Sequence, residues 1–99
     1  MSVKHVAVFW LKDSADTERA LALMAALAEL PQVQGIVTGG PVDHDWPAKK
    51  IDKSWHVGCV IELADQDACR DYFNDPRHQN LAGQLRDLSS DVFALYLEY

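Results

Sequence analysis

Val3-Lys4-His5-Val6-Ala7-Val8-Phe9-Trp10-Leu11 decides how this chain folds. The stretch is β-branched and aromatic, lacks Gly and Pro, and stops at Lys12-Asp13-Ser14, which predicts a strand. Side chains alternate across a strand. Val6, Val8 and Trp10 therefore share one face, and His5, Ala7 and Phe9 share the other. Both faces are largely apolar. A strand with one face in water would alternate with polar residues, and this one does not.

The same two-sided pattern recurs. Ser54 to Leu63 (SWHVGCVIEL) predicts a strand with Trp55, Val57, Cys59 and Ile61 opposing His56, Gly58 and Val60. Val92 to Tyr99 (VFALYLEY) sets Phe93, Leu95 and Leu97 against Ala94 and Tyr96. Val33 to Thr38 is a shorter strand, closed by Gly39-Gly40-Pro41. Between the strands lie helical stretches. Thr17 to Leu30 is dense in Ala, Leu and Met, with Ser14 or Asp16 as cap, Glu18 in its first turn and Pro31 as its stop. Asp65 caps a second helix carrying Ala68, Cys69, Tyr72 and Phe73. Asp75-Pro76 ends it and starts a third, striped by Leu81, Leu85 and Leu88. Pro41 to Lys53, with Asp43, His44, Asp45, Trp46 and Pro47, reads as a loop. The order β-α-β, loop, β-α-α-β is that of an α+β, ferredoxin-like sandwich: an antiparallel four-stranded sheet with helices on one face. Those helices can cover only one face, so the second predicts a homodimer packed sheet to sheet.

The whole chain reads as a single domain over residues 1–99. Nine Lys and Arg against fifteen Asp and Glu give a net charge of −6. That balance argues against nucleic acid or an anionic membrane as partner, since both require a basic footprint. No apolar run reaches the ~20 residues of a membrane span. The opening segment has a short apolar run that contains His5 and lacks a small-residue cleavage site, so it reads as a strand and not as a signal peptide. Two cysteines, Cys59 and Cys69, make neither a disulfide framework nor a zinc set, and a cytoplasmic, reduced protein is expected.

Residue size suggests which faces meet the helices. His5 and His56 share their faces with the small Ala7 and Gly58. The opposite faces carry Val6, Val8, Trp10, Trp55, Val57 and Ile61, bulky enough to fill an interface. A sheet face with Ala7 and Gly58 beneath the first helix would leave a cavity with two histidines at its edge and Leu23, Met24 and Leu27 as its apolar wall. The alternative is that those three helix residues fill the space.

Tyr72-Phe73-Asn74-Asp75-Pro76-Arg77-His78 carries the most chemical information. Pro76 fixes the turn and His78 becomes the third residue of the next helix. A helix N-terminus disfavours an imidazolium, so His78 should stay neutral near pH 7. A neutral imidazole can accept a proton, and a nearby phenol can polarise a carbonyl. The plain alternative is a capping histidine and a core tyrosine. Asp43-His44-Asp45 holds too few separable ligands for a metal site, and Gly39-Gly40-Pro41 precedes no helix and so makes no phosphate loop. No metal and no cofactor is expected.

The chain resembles the stress-responsive dimeric α/β-barrel (Dabb) family. The resemblance rests on Val3-Lys4-His5-Val6, Leu30-Pro31-Gln32-Val33, Trp55-His56-Val57, Tyr72-x-x-x-Pro76-x-His78 and Leu97-Glu98-Tyr99, and covers nearly the whole sequence. It implies a ferredoxin-like monomer whose sheets close into a dimeric α/β barrel. A plant polyketide cyclase of that family has its catalytic tyrosine and histidine at positions matching Tyr72 and His78, and two further pocket histidines matching His5 and His56. The resemblance thus implies a site of His78 and Tyr72 as catalytic pair, with His5, His56, Ala7, Gly58, Leu23, Met24 and Leu27 around a small, largely apolar carbonyl or phenolic ligand. The implied chemistry is a cofactor-independent cyclase, lyase or isomerase reaction. The alternative is a non-catalytic stress-response or ligand-binding dimer in which the same residues form a structural network.

Overall fold

The computed structural model describes residues 1–45 and 50–99, so the part of the loop reading that rests on Trp46, Pro47 and Lys49 lies outside the described residues. Four strands, β1 (Val3–Leu11), β2 (Val33–Gly39), β3 (Val57–Leu63) and β4 (Ser89–Glu98), form one sheet in the order β2-β3-β1-β4. Every neighbouring pair is antiparallel. Helices α1 (Thr17–Ala26), α2 (Gln66–Asn74) and α3 (Pro76–Leu88) connect them. This is the expected α+β, ferredoxin-like arrangement.

Local chemistry sets most element ends. Asp65 accepts a hydrogen bond from the Ala68 amide and caps α2, and Asp75 accepts from the Arg77 amide and caps α3. Pro76 takes the first position of α3, where its missing N–H costs nothing. The start of α1 differs from expectation. Asp16 takes the N-cap position of α1 but its side chain makes no capping bond; the Asp13 carboxylate instead caps the 3-10 turn over Ser14–Asp16 that precedes the helix. A second 3-10 turn over Leu27–Glu29 tightens the end of α1 before Pro31.

The helices cover one face of the sheet. From β1 that face takes Val3, His5, Ala7, Phe9 and Leu11, and from β3 it takes Val57, Cys59, Ile61 and Leu63. Ala20, Met24 and Leu27 close over it at helical spacing from α1 and the turn that extends it, joined by Tyr72 and Leu85 from the other helices. The opposite face is open. Directly paired residues share a face, so Val37, Val60, Val6 and Leu95 form one row across it, and Gly39, Gly58, Val8 and Phe93 the next. Phe93 and Leu97 are more than half exposed there.

One expectation about these faces is overturned. Val57 and Ile61 lie in the core at 0% exposure, and Gly58 lies on the open face opposite Val8. Matching strands by residue size paired Gly58 with Ala7. The actual register pairs Ala7 with Cys59. The space at Gly58 is taken by Trp55, which folds over it: a Cβ built on Gly58 would meet the Trp55 ring at 3.2 Å.

Candidate functional site

Three of the four expected polar residues converge. His5 enters from the central strand β1, Tyr72 from the last turn of α2, and His78 from the first turn of α3. The Tyr72 and His78 rings lie 4.2 Å apart between centroids, and His5 meets Tyr72 edge to face at 6.3 Å. The tight passage from α2 to α3 brings His78 back over Tyr72. The Asp75 carboxylate holds that turn, capping α3, forming an ion pair with Arg77 at 2.9 Å and accepting a bond from Gln32 in the turn just before β2. Its bonds from Arg77 hold the Asp75 carboxyl well below the usual carboxylate range.

Both imidazoles have a defined anchor. Nδ1 of His78 lies 3.2 Å from the Phe73 carbonyl, and Nδ1 of His5 lies 3.1 Å from the Leu95 carbonyl. A carbonyl only accepts, so each Nδ1 carries the proton and each Nε2 carries a lone pair. Burial pushes both imidazoles below their ordinary value, which keeps them neutral at pH 7. The Tyr72 phenol is pushed strongly upward, first by burial and then by Cys59 and Tyr96 nearby, so its hydroxyl stays protonated. Tyr72 is only 1% exposed as a residue; its hydroxyl bonds to none of the described residues and keeps slight contact with solvent.

His56 does not join this cluster. It precedes β3, its amide donates to the Phe9 carbonyl, and its Nδ1 accepts from the Leu11 amide at 3.0 Å. Phe9 is four residues along β1 from His5, or roughly 13 Å at strand spacing. His56 therefore completes the ladder at the far end of β1. Gly58 is excluded by its face. Ala7 does lie on the cluster's side, but Met24 and Leu27 pack into the same buried core, with Leu23 half-buried against it. The space expected beneath α1 is occupied by those side chains. An apolar concavity of about 330 Å³ on the open sheet face is bounded by Val6, Val8, Val37, Trp55 and Val60.

The sequence reading passed over Tyr96. It stacks flat on His5, with centroids 4.1 Å apart and planes 11° from parallel. The register would have suggested it, since Tyr96 is directly opposite His5 across β1 and β4. Among the described residues no group of three or more His, Cys, Asp or Glu is placed to hold a metal ion, and no helix is long and apolar enough to cross a membrane. Cys59 and Cys69 are both free, and burial pushes the Cys59 thiol up to about 11.

No curated protein matches the chain. Solved structures do. A Dabb protein with a ferredoxin-like fold from Mesorhizobium loti MAFF303099 is 22% identical, with 99% of this chain and 96% of that one covered and a TM-score of 0.78. A dimeric ferredoxin-like protein of unknown function from Thermobifida fusca YX is 19% identical over 100% of this chain and 92% of that one, also with a TM-score of 0.78. A hydroxynitrile lyase from Passiflora edulis is 13% identical over 97% and 91%, with a TM-score of 0.81. At these identities the likeness is one of fold. The sequence model of the stress responsive A/B barrel domain matches residues 3–97, and the chain belongs to that family, Dabb.

Proposed function

We propose that this protein is a homodimer whose His78, Tyr72 and His5 bind a small, largely apolar molecule through a carbonyl or phenol, and move a proton on it without a cofactor. The observation that carries the reading is the unpartnered Tyr72 hydroxyl beside His78. That hydroxyl keeps slight solvent contact, and a ligand oxygen would take the place of water as its acceptor. In this reading the Tyr72 O–H donates to the ligand carbonyl, and Nε2 of His78 takes a proton from the adjacent carbon. The neutral state of both imidazoles and the protonated state of the phenol are those the chemistry requires. A lyase in Passiflora edulis shares the fold, so the scaffold is compatible with such a site. The dimer follows from the apolar open face, and the Thermobifida fusca relative is described as dimeric. Free Cys59 and Cys69 suit a reducing compartment such as the cytoplasm.

A second reading is favoured by the packing: Met24 and Leu27 fill the space under α1, as they would around a purely structural His and Tyr network. The test is a pair of variants, His78→Ala and Tyr72→Phe, assayed against a panel of small phenolic ketones and their thioesters. Removing a general base slows turnover by roughly 10²–10⁴-fold. Unchanged binding and turnover in both variants, with unchanged stability, sinks the catalytic pair. A loss of stability alone favours the structural network.

A further inference from the structure

We propose that Tyr96 is the positioning residue for His5, holding the imidazole in place by stacking on it and walling it off from a neighbouring concavity. The inference rests on the reading of His5 as part of the ligand site, but its geometry is independent of any ligand. His5 and Tyr96 are opposite residues on adjacent antiparallel strands, both on the helix-covered face. Their rings are 4.1 Å apart and nearly parallel, so one full face of the imidazole is covered. Its Nδ1 is tied to the Leu95 carbonyl of the same strand. β4 thus grips His5 twice, by its backbone in the ring plane and by Tyr96 on the ring face.

Tyr96 differs from the other aromatic neighbours of the site. Tyr72 is sealed beneath the helices, whereas Tyr96 is 48% exposed on an edge strand. It also borders a concavity of about 350 Å³ lined by Val3, Gln66, Cys69, Arg70 and Glu98. His5 itself is buried and does not line that concavity. The Tyr96 ring is the partition between the two. Without it the imidazole would face solvent and be free to turn away from the Leu95 carbonyl, and the Nε2 lone pair would lose its fixed direction.

The experiment compares the full chain with Tyr96→Phe, Tyr96→Leu and Tyr96→Ala. Carbethoxylation of each histidine is followed by peptide mass mapping, and the His5 tautomer by nitrogen NMR. Tyr96→Phe keeps a flat ring and should leave both readouts as in the native protein. Tyr96→Ala should speed modification of His5 by roughly tenfold, as expected when a protected group gains local access, and should mix its tautomers. Tyr96→Leu, which keeps apolar bulk without the flat face, should fall between the two and serves where the alanine variant is poorly folded. Native protection and a single tautomer in both Tyr96→Leu and Tyr96→Ala overturn the proposal. Failure of the His78 and Tyr72 reading would show instead in the binding and turnover of those variants, with His5 protection untouched.

Discussion

The two faces of this sheet have nearly the same composition and opposite fates. The helix side takes Val57, Ile61 and Leu63 to zero exposure. The other side carries Val6, Val8, Val60, Phe93, Leu95 and Leu97, and leaves Phe93 and Leu97 at 57% and 54%. Apolar patterning therefore does not say where burial occurs. It says only that a face needs a cover, which one face finds in its own helices. The polar residues discriminate better. His5, Tyr72 and His78 collect on the covered side, where burial controls their protonation, and the exposed ion pair of Lys4 and Glu62 lies on the open side.

Charging the two faces should break that comparison most sharply. Val57→Asp puts a carboxylate into the core, where an unpaired buried charge costs several kcal/mol, and should leave the chain unfolded by circular dichroism. Leu95→Asp puts the same charge on the open face. It should leave the monomer fold intact and dissociate the proposed dimer, read by light scattering at micromolar concentration. A Leu95→Asp protein that stays dimeric would mean the partner does not cover this face.

A smaller effect is expected at Gly58. A Cβ there would sit 3.0 Å from the Ala7 carbonyl oxygen and 3.0 Å from Cγ1 of Val8. Backbone cannot yield as a flexible side chain does, so Gly58→Ala should cost about 1–3 kcal/mol in urea unfolding. A neutral Gly58→Ala would mean that Trp55 and the strands have room to shift.

Acid should act through the covered side. His5 and His78 are held below 6.5, the value they regain on unfolding. The unfolded chain therefore takes up protons first as the pH falls. The contribution of neutral burial is complete above 6.5 and is lost as the pH drops through the folded values. Asp75, also depressed, keeps its contribution down to 3.8 and loses it only below. Urea unfolding across pH should separate the two windows, and the pair His5→Gln and His78→Gln should flatten the upper one alone. An unchanged upper slope in that double variant would assign it to other groups.

How much of this was legible in the sequence depends on the range of the interaction. Strand identity, the Asp65 and Asp75 caps and the Tyr72 to His78 turn were readable because each is set within a few residues. Pairing Ala7 with Gly58 failed because register is a contact between distant segments, and a strand apolar on both sides offers two phases of equal hydrophobicity. The same error misplaced His56, which lies before the regular strand and bonds to Leu11. Tyr96 was invisible for the same reason, since only the β1–β4 register sets it against His5.

The smallest expected effect bears on how far the cover of the proposed dimer extends. Lys4 and Glu62 form an ion pair at 3.9 Å in the open-face row that ends at Leu97, with side chains 43% and 53% exposed. If the row lies at the rim of the interface, the pair remains in water, where such pairs contribute about 0–1 kcal/mol. Glu62→Gln is the cleaner probe, because Lys4 also lies over the Tyr99 ring at 5.6 Å. It should move the unfolding midpoint only slightly and leave the dimer intact, with the difference shrinking further in high salt. A large loss of dimer stability that salt does not screen would mean that the pair is desolvated. The interface would then extend past Val60 and Val6 to this end of the sheet, with Glu62 and Lys4 beneath the partner.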